Sequence, residues 1–133
     1  MSKGHILVVE DNLDNYELVR AILEIAGYDT FLAVNGRDGV NAARKQKPDL
    51  ILIDMSLPEM DGWNATKHIR EDPESAHIPM IALTVHTLPI ERKRALDAGV
   101  DAYLPKPYDA GHLIRLVEST LNNSIRKRKE NKG

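Results

Sequence analysis

Leu50-Ile51-Leu52-Ile53-Asp54-Met55-Ser56-Leu57-Pro58-Glu59-Met60-Asp61-Gly62 is the stretch around which the chain is organised. Four apolar residues, Leu50 to Ile53, run without a break into Asp54. An unbroken run of β-branched and leucine side chains suits a strand buried on both faces, as in a parallel sheet. The Asp54 carboxylate then stands at the strand's C-terminal end, where open α/β sheets place their ligand sites. Pro58 disfavours helix at Leu57, so the chain is expected to stay extended past the aspartate. Asp61 is suited to cap the helix that follows.

The same pattern recurs outward from this stretch. Ile6-Leu7-Val8-Val9 is a second apolar run, and it ends in Glu10-Asp11. Leu18, Ile22 and Ala26, with Val19 and Leu23 beside them, predict the inner face of a first helix closed by Gly27. Asp29 to Val34 reads as a short strand and Asn35-Gly36 as a turn. Val40 and Ala43 mark a second helix, stopped by Pro48. Trp63 to Arg70 is a third helix. Met80-Ile81-Ala82-Leu83 runs apolar into Thr84. Pro89 suits the first turn of a fourth helix, which Gly99 ends. Ala102-Tyr103-Leu104 is a brief fifth strand before Pro105-Lys106-Pro107. Asp109 is placed to cap a last helix with Leu113, Leu116, Val117, Thr120 and Leu121 inward. Five βα units in succession predict an α/β fold, doubly wound, with a parallel sheet covered by helices on both faces.

Composition narrows the class. The chain has 133 residues, 42% of them apolar, and no cysteine. That is one domain with a core, without disulfides or thiolate metal sites. No apolar run reaches the length of a membrane span, and Met1-Ser2-Lys3-Gly4 leaves no room for a signal peptide, so a cytoplasmic protein is expected. In Ser124–Gly133, Arg126, Lys127, Arg128, Lys129 and Lys132 outnumber Glu130 by four; the formal net charge is −2, so the remaining residues carry −6. An acidic body is a poor nucleic-acid surface, and the basic end is read as a solvated, fraying tail. The five histidines, His5, His68, His77, His86 and His112, show no metal-ligand spacing.

In a parallel sheet every strand C-terminus lies on one edge. Glu10, Asp11, Asp54, Thr84 and Lys106 would therefore converge. The three acids suit a hard dication such as Mg²⁺, which takes oxygen ligands and keeps waters. The cation and Lys106 would clamp a transferring phosphoryl group, chemistry that asks for positioning and charge more than for covalent help. Each residue alone also admits a plain structural role, such as a solvated strand end or a surface lysine.

Val-Val-Glu-Asp at 8–11, Leu-Ile-Asp-Met-Ser-Leu-Pro-Glu-Met-Asp-Gly at 52–62, Ala-Leu-Thr at 82–84 and Leu-Pro-Lys-Pro at 104–107 carry a resemblance. From about His5 to Asn122 the chain resembles the CheY-like receiver domains of bacterial two-component response regulators. The resemblance implies a (βα)5 flavodoxin-like fold with strand order 2-1-3-4-5, a receiver over residues 4–122, a basic tail over 123–133 and no output domain. It implies a single-domain switch that accepts a phosphoryl group on Asp54 from a phosphohistidine, on a histidine kinase or phosphotransfer protein. Asp11 would ligate Mg²⁺ directly with Asp54 and the Ser56 backbone carbonyl, and Glu10 through a water. Thr84 and Tyr103 would form the switch, with Lys106 on the phosphoryl group. Lys106–Pro107 would be a cis peptide. Output would be by protein contact through the face of the fourth helix, fifth strand and fifth helix, roughly Pro89 to Leu121, with no direct nucleic-acid or membrane binding and no turnover enzyme activity. Val85, where the family usually has a smaller residue, would crowd the site, and His86 and Ser56 would tune access of hydrolytic water.

Three other readings stand beside this one. The chain could be a receiver cut from a larger hybrid kinase or regulator. An aspartate-nucleophile phosphatase would want a second aspartate where Ser56 stands. A flavodoxin-like cofactor binder would want a phosphate loop where Glu10-Asp11 would repel phosphate.

Overall fold

A computed structural model describes residues 2–57, 60–85 and 88–132, the last five of these by backbone alone. The expectations for Pro58 and His86 lie outside the described residues. The elements are β1 (His5–Val9), α1 (Leu13–Ile25), β2 (Asp29–Ala33), α2 (Gly36–Gln46), β3 (Leu50–Asp54), α3 (Gly62–Glu71), β4 (Met80–Thr84), α4 (Pro89–Ala98), β5 (Ala102–Pro105) and α5 (Ala110–Lys132). The five strands are parallel in the order β2-β1-β3-β4-β5.

The unbroken apolar runs are explained by the two cores they serve. Side chains alternate across a strand. Leu7, Val9, Ile51, Ile53, Met80 and Ala82 belong to one buried cluster with Trp63, Ala65, Ile69 and Ala95 of α3 and α4. Ile6, Val8, Leu50, Leu52, Ile81, Leu83 and Leu104 belong to the other, with Val19 and Leu23 of α1 and Leu113 and Val117 of α5. Every residue of β3 and β4 is buried, so polar alternation has no place in either strand.

The caps follow local chemistry. Asn12, Asn35 and Asp61 accept from the amides of Asn15, Asp38 and Asn64, and Asp109 accepts from His112 N at 2.7 Å. Asn35-Gly36 therefore opens α2. Gly62 is required by proximity: a Cβ there would lie 2.5 Å from Met55 Cα and 2.8 Å from the Asp54 carbonyl oxygen. Gly62→Ala is expected to cost about 1–3 kcal/mol in chemical unfolding, because the clash is with backbone.

Two boundaries differ from expectation. The buried face of α1 is Tyr16, Val19 and Leu23, whereas Leu18 is 60% exposed. Leu18 lies one residue, about 100° around the helix, from Val19, so it falls off the core stripe. α5 runs on as helix past Asn122 to Lys132, where the sequence suggests a fraying tail. Arg, Lys and Glu are good helix formers, and that propensity carries α5 past its last apolar contacts. No helix among the described residues is long and apolar enough to cross a membrane.

Candidate functional site

Register brings the strand ends together. Val9 lies opposite Ile53, Asp54 opposite Leu83, and Thr84 opposite Pro105. Glu10 and Asp11 continue β1, Asp54 ends β3, Thr84 ends β4 and Lys106 follows β5. Glu10, Asp11 and Asp54 each offer a carboxylate oxygen within 4.8 Å of the others. Glu10 and Asp54 are buried and Asp11 is exposed, so the cluster opens to solvent on one side.

Asp54 is held by both oxygens. Its Oδ1 accepts from Ser56 N–H at 2.8 Å and its Oδ2 from Lys106 Nζ at 3.0 Å. Lys106 N–H in turn donates to the Thr84 carbonyl at 2.8 Å, which ties the lysine's backbone to β4. The Lys106–Pro107 peptide is cis.

The two buried acids divide their protons unevenly. Burial, and then a hydrogen bond with Asp54, push the Glu10 carboxyl up to about 7, against the opposing pull of Asn15 and Lys106. Burial also pushes Asp54 up, but the bond from Glu10, the Ser56 N–H and Lys106 outweigh it and hold Asp54 below the ordinary carboxylate range. Burial and Asp54 therefore favour the protonated form of Glu10, while its neighbours favour the ionised form of Asp54. Glu10 Oε2 is buried without a hydrogen-bond partner among the described residues. An orphaned acid oxygen within a three-carboxylate cluster, open to water at Asp11, fits a hard dication that retains part of its water shell.

Thr84 is buried under the same edge. Tyr103, on β5 opposite Ala82, is half-buried, and its hydroxyl is already enclosed, without a partner among the described residues. Two neighbours escape a reading of the sequence. Asn15, on the first turn of α1, reaches Glu10. Tyr108, just past the cis proline, is half-buried, and burial together with the charges of Glu10 and Asp54 raises its phenol.

Known proteins resemble the chain in sequence and fold. The response regulator receiver domain model matches residues 6–118. The chain belongs to the response regulator receiver domain family. It is 37% identical over 119 residues to the polar-differentiation response regulator DivK of Brucella anthropi, covering 90% of this chain and 97% of that protein. It is also 37% identical to the receiver domain of a sensor histidine kinase from Pseudomonas aeruginosa, with a TM-score of 0.83 over 90% of this chain and 98% of that one. That structure holds a magnesium ion coordinated in its active-site cleft. A CheY-like receiver domain from Methanospirillum hungatei superposes with a TM-score of 0.87 at 25% identity, over 95% and 99% of the two chains.

As a receiver domain, this chain serves two-component phosphorelay signalling and has the (βα)5 flavodoxin-like fold. Receiver domains work between histidine kinases and downstream targets, and they are typically not catalysts of turnover.

Proposed function

We propose that Asp54 is the phosphoacceptor and that the chain switches protein contacts when it is phosphorylated. The observation that carries this is the 3.0 Å pairing of Asp54 with Lys106 inside a cluster of three carboxylates. In the transfer, an Asp54 oxygen forms a bond to phosphorus as the phosphorus–nitrogen bond of a donor phosphohistidine breaks, and the leaving imidazole keeps the electron pair. Asp11, Asp54 and the Ser56 carbonyl would hold Mg²⁺, with Glu10 acting through a water. Bound there, the ion would offset charge on the phosphoryl oxygens. Ser56 N–H fixes the rotamer of the attacking carboxylate. Lys106 holds Asp54 ionised before transfer and follows the phosphoryl oxygens after it. Thr84 donates its hydroxyl to the phosphoryl group, and Tyr103 responds behind it.

This scheme also makes the chain promote its own phosphorylation and dephosphorylation without being a turnover enzyme. A residue 4–122 receiver followed by a basic segment, with a protein target on α4, β5 and α5, remains the preferred organisation. A receiver belonging to a larger hybrid protein shares the same chemistry. Incubation with acetyl phosphate and Mg²⁺ should add one phosphoryl group, and mass spectrometry should map it to the peptide containing Asp54. Modification mapping to another residue would refute the assignment.

The donor has a surface to meet. Leu13, Leu18 and Val85 are 63%, 60% and 61% exposed. A cavity of about 330 Å³ lined by Leu18, Val85, Tyr108, Glu10 and Lys106 lies beside Asp54. Exposed apolar side chains beside a charged site fit a partner protein better than a small donor. Leu18→Glu should therefore slow transfer from a protein phosphodonor by about tenfold, since losing an apolar anchor costs over 1 kcal/mol. Acetyl phosphate should modify that variant at the wild-type rate; equal slowing with both donors would count against docking at this surface.

A further inference from the structure

The strands begin at the edge of the sheet opposite the carboxylate cluster. There Pro79 leads into β4 and Asp101 into β5. A cavity of about 670 Å³ opens between these two entries and the later turns of α5. That size lies within the range of small-molecule sites.

The inward stripe of α5 changes character where it reaches the cavity. Leu113 and Val117 are fully buried in the core. Thr120 and Ser124 continue the same stripe at helical spacing, and both line the cavity. Thr120 is only 6% exposed. Its hydroxyl makes no hydrogen bond among the described residues, yet it is not one of the polar atoms sealed inside the protein. A buried hydroxyl without a partner costs stability unless something in the cavity meets it.

The charge around the cavity is one-sided. Arg70 and Asp101 in its wall meet at 2.9 Å and neutralise each other. Asp101 is the one carboxylate among the lining residues. Arg126 and Lys127 also line the cavity, are exposed, and enter no ion pair among the described residues. Ala76, Pro79 and Leu116 give the wall an apolar part.

We propose that this cavity binds a phosphate ester of a small molecule, with Thr120, Arg126 and Lys127 on the phosphate and the apolar wall against the organic body. A phosphate accepts from a hydroxyl and from cations at once, and Arg and Lys both suit it. Its double charge matches two unpaired cations better than the single charge of a carboxylate. Thr120 is recessed, so an extended polyanion lying across Arg126 and Lys127 would not reach it. The cavity is larger than a phosphate ion fills, which leaves room for a body. This site lies at the far edge from Asp54 and is independent of that residue's role.

ADP and inorganic pyrophosphate are the probes, since both carry a diphosphate and only ADP has a body. Titration of the full chain without divalent cations leaves the carboxylate cluster repulsive to either probe. ADP should shift the amide resonances of His77, Ala102 and Ser119 to Lys127 and leave those of Asp54 to Ser56 in place. Pyrophosphate should shift the same amides with about tenfold weaker affinity, the loss expected for a small apolar contact. Thr120→Val keeps the shape without the hydroxyl and should weaken both probes about tenfold. Thr120→Ala should match it, which covers a valine variant that does not fold. Thr120→Ser keeps the hydroxyl and should bind within about twofold of wild type. Arg126→Gln with Lys127→Gln should weaken both probes by about tenfold and flatten their salt dependence. Unchanged ADP affinity in the Thr120 variants that lack the hydroxyl would reduce the binding to a surface cation pair and overturn the site. Pyrophosphate binding as tightly as ADP would overturn the assignment to an ester.

Discussion

Arg70→Ala should lower the unfolding free energy by about 3–5 kcal/mol, a loss on the scale of a disrupted core. The Arg70 guanidinium binds in four directions. Nε donates to the Gly99 carbonyl at 2.8 Å, and Nη1 donates to those of Ala76 at 3.0 Å and Ile78 at 2.6 Å. Nη2 meets Asp101 Oδ2 at 2.9 Å, and that oxygen also accepts from Met80 N–H at 2.8 Å. The end of α3, the entry to β4, the end of α4 and the entry to β5 are thus joined through one side chain. The side chain is only 20% exposed. Burial pulls its pKa down, and Asp101 partly restores it. Truncation strands three carbonyls, each worth about 1–3 kcal/mol when left unpaired, and takes the cation from Asp101, which keeps its bond from Met80 N–H. Water reaching the partly open site offsets some of that, which keeps the total below the simple sum. Arg70→Lys retains the charge but lacks the planar fork, so it should recover less than half of the loss. Urea unfolding would show the midpoint falling with an unchanged slope. A shift under about 1 kcal/mol for Arg70→Ala would mean that solvent already satisfies these carbonyls.

That hub is not legible in the sequence, for a physical reason. Arg70 at the end of a helix reads as a cation favourable to the dipole, and nothing local shows that its partners lie as far away as Gly99 and Asp101. The fold is legible where burial is one-dimensional. Leu50–Ile53 and Met80–Leu83 are buried on both faces, so their pattern is unbroken and their ends are marked by Asp54 and Thr84. Once the sheet is parallel, topology alone collects Glu10, Asp11, Asp54, Thr84 and Lys106 at one edge. Helix phase is less legible. Leu18 is as apolar as Val19, and periodicity cannot separate a core face from an apolar rim beside a site. The reach of α5 is hidden for the opposite reason. Its last turns have no apolar stripe to signal a helix, and only the intrinsic propensity of their charged residues favours one. Tyr103 is expected from the family resemblance to serve the switch, yet its hydroxyl is already enclosed.

Mg²⁺ should bind about tenfold more tightly at pH 8 than at pH 6, with most of the change below pH 7 and one proton released on binding. The cause is Glu10, raised from an ordinary 4.5 to about 7 by burial and by Asp54. Below that value the site holds a proton that a dication must displace; above it the third carboxylate is free. The same shift fixes the sign for stability without metal. A carboxyl whose folded pKa is raised contributes stability that is full below about 4.5 and is lost as pH rises through about 7. Asp54, held below the ordinary range, contributes in the other direction, and its share is lost only as pH falls through its depressed value. Between pH 5 and 8 the raised carboxyl of Glu10 therefore works against the stability of the metal-free protein. Metal-free protein should become less stable across that range, and saturating Mg²⁺ should cancel or reverse that trend by favouring the ionised cluster. Glu10→Gln removes the proton but keeps the shape, so its Mg²⁺ affinity should be nearly flat from pH 6 to 8 and weaker than wild type at pH 8. Titration calorimetry in two buffers of different ionisation enthalpy reads both the affinity and the released proton. If wild-type affinity is the same at pH 6 and pH 8, or if Glu10→Gln keeps the wild-type slope, the shared proton does not reside on Glu10 and another group sets the charge of the cluster.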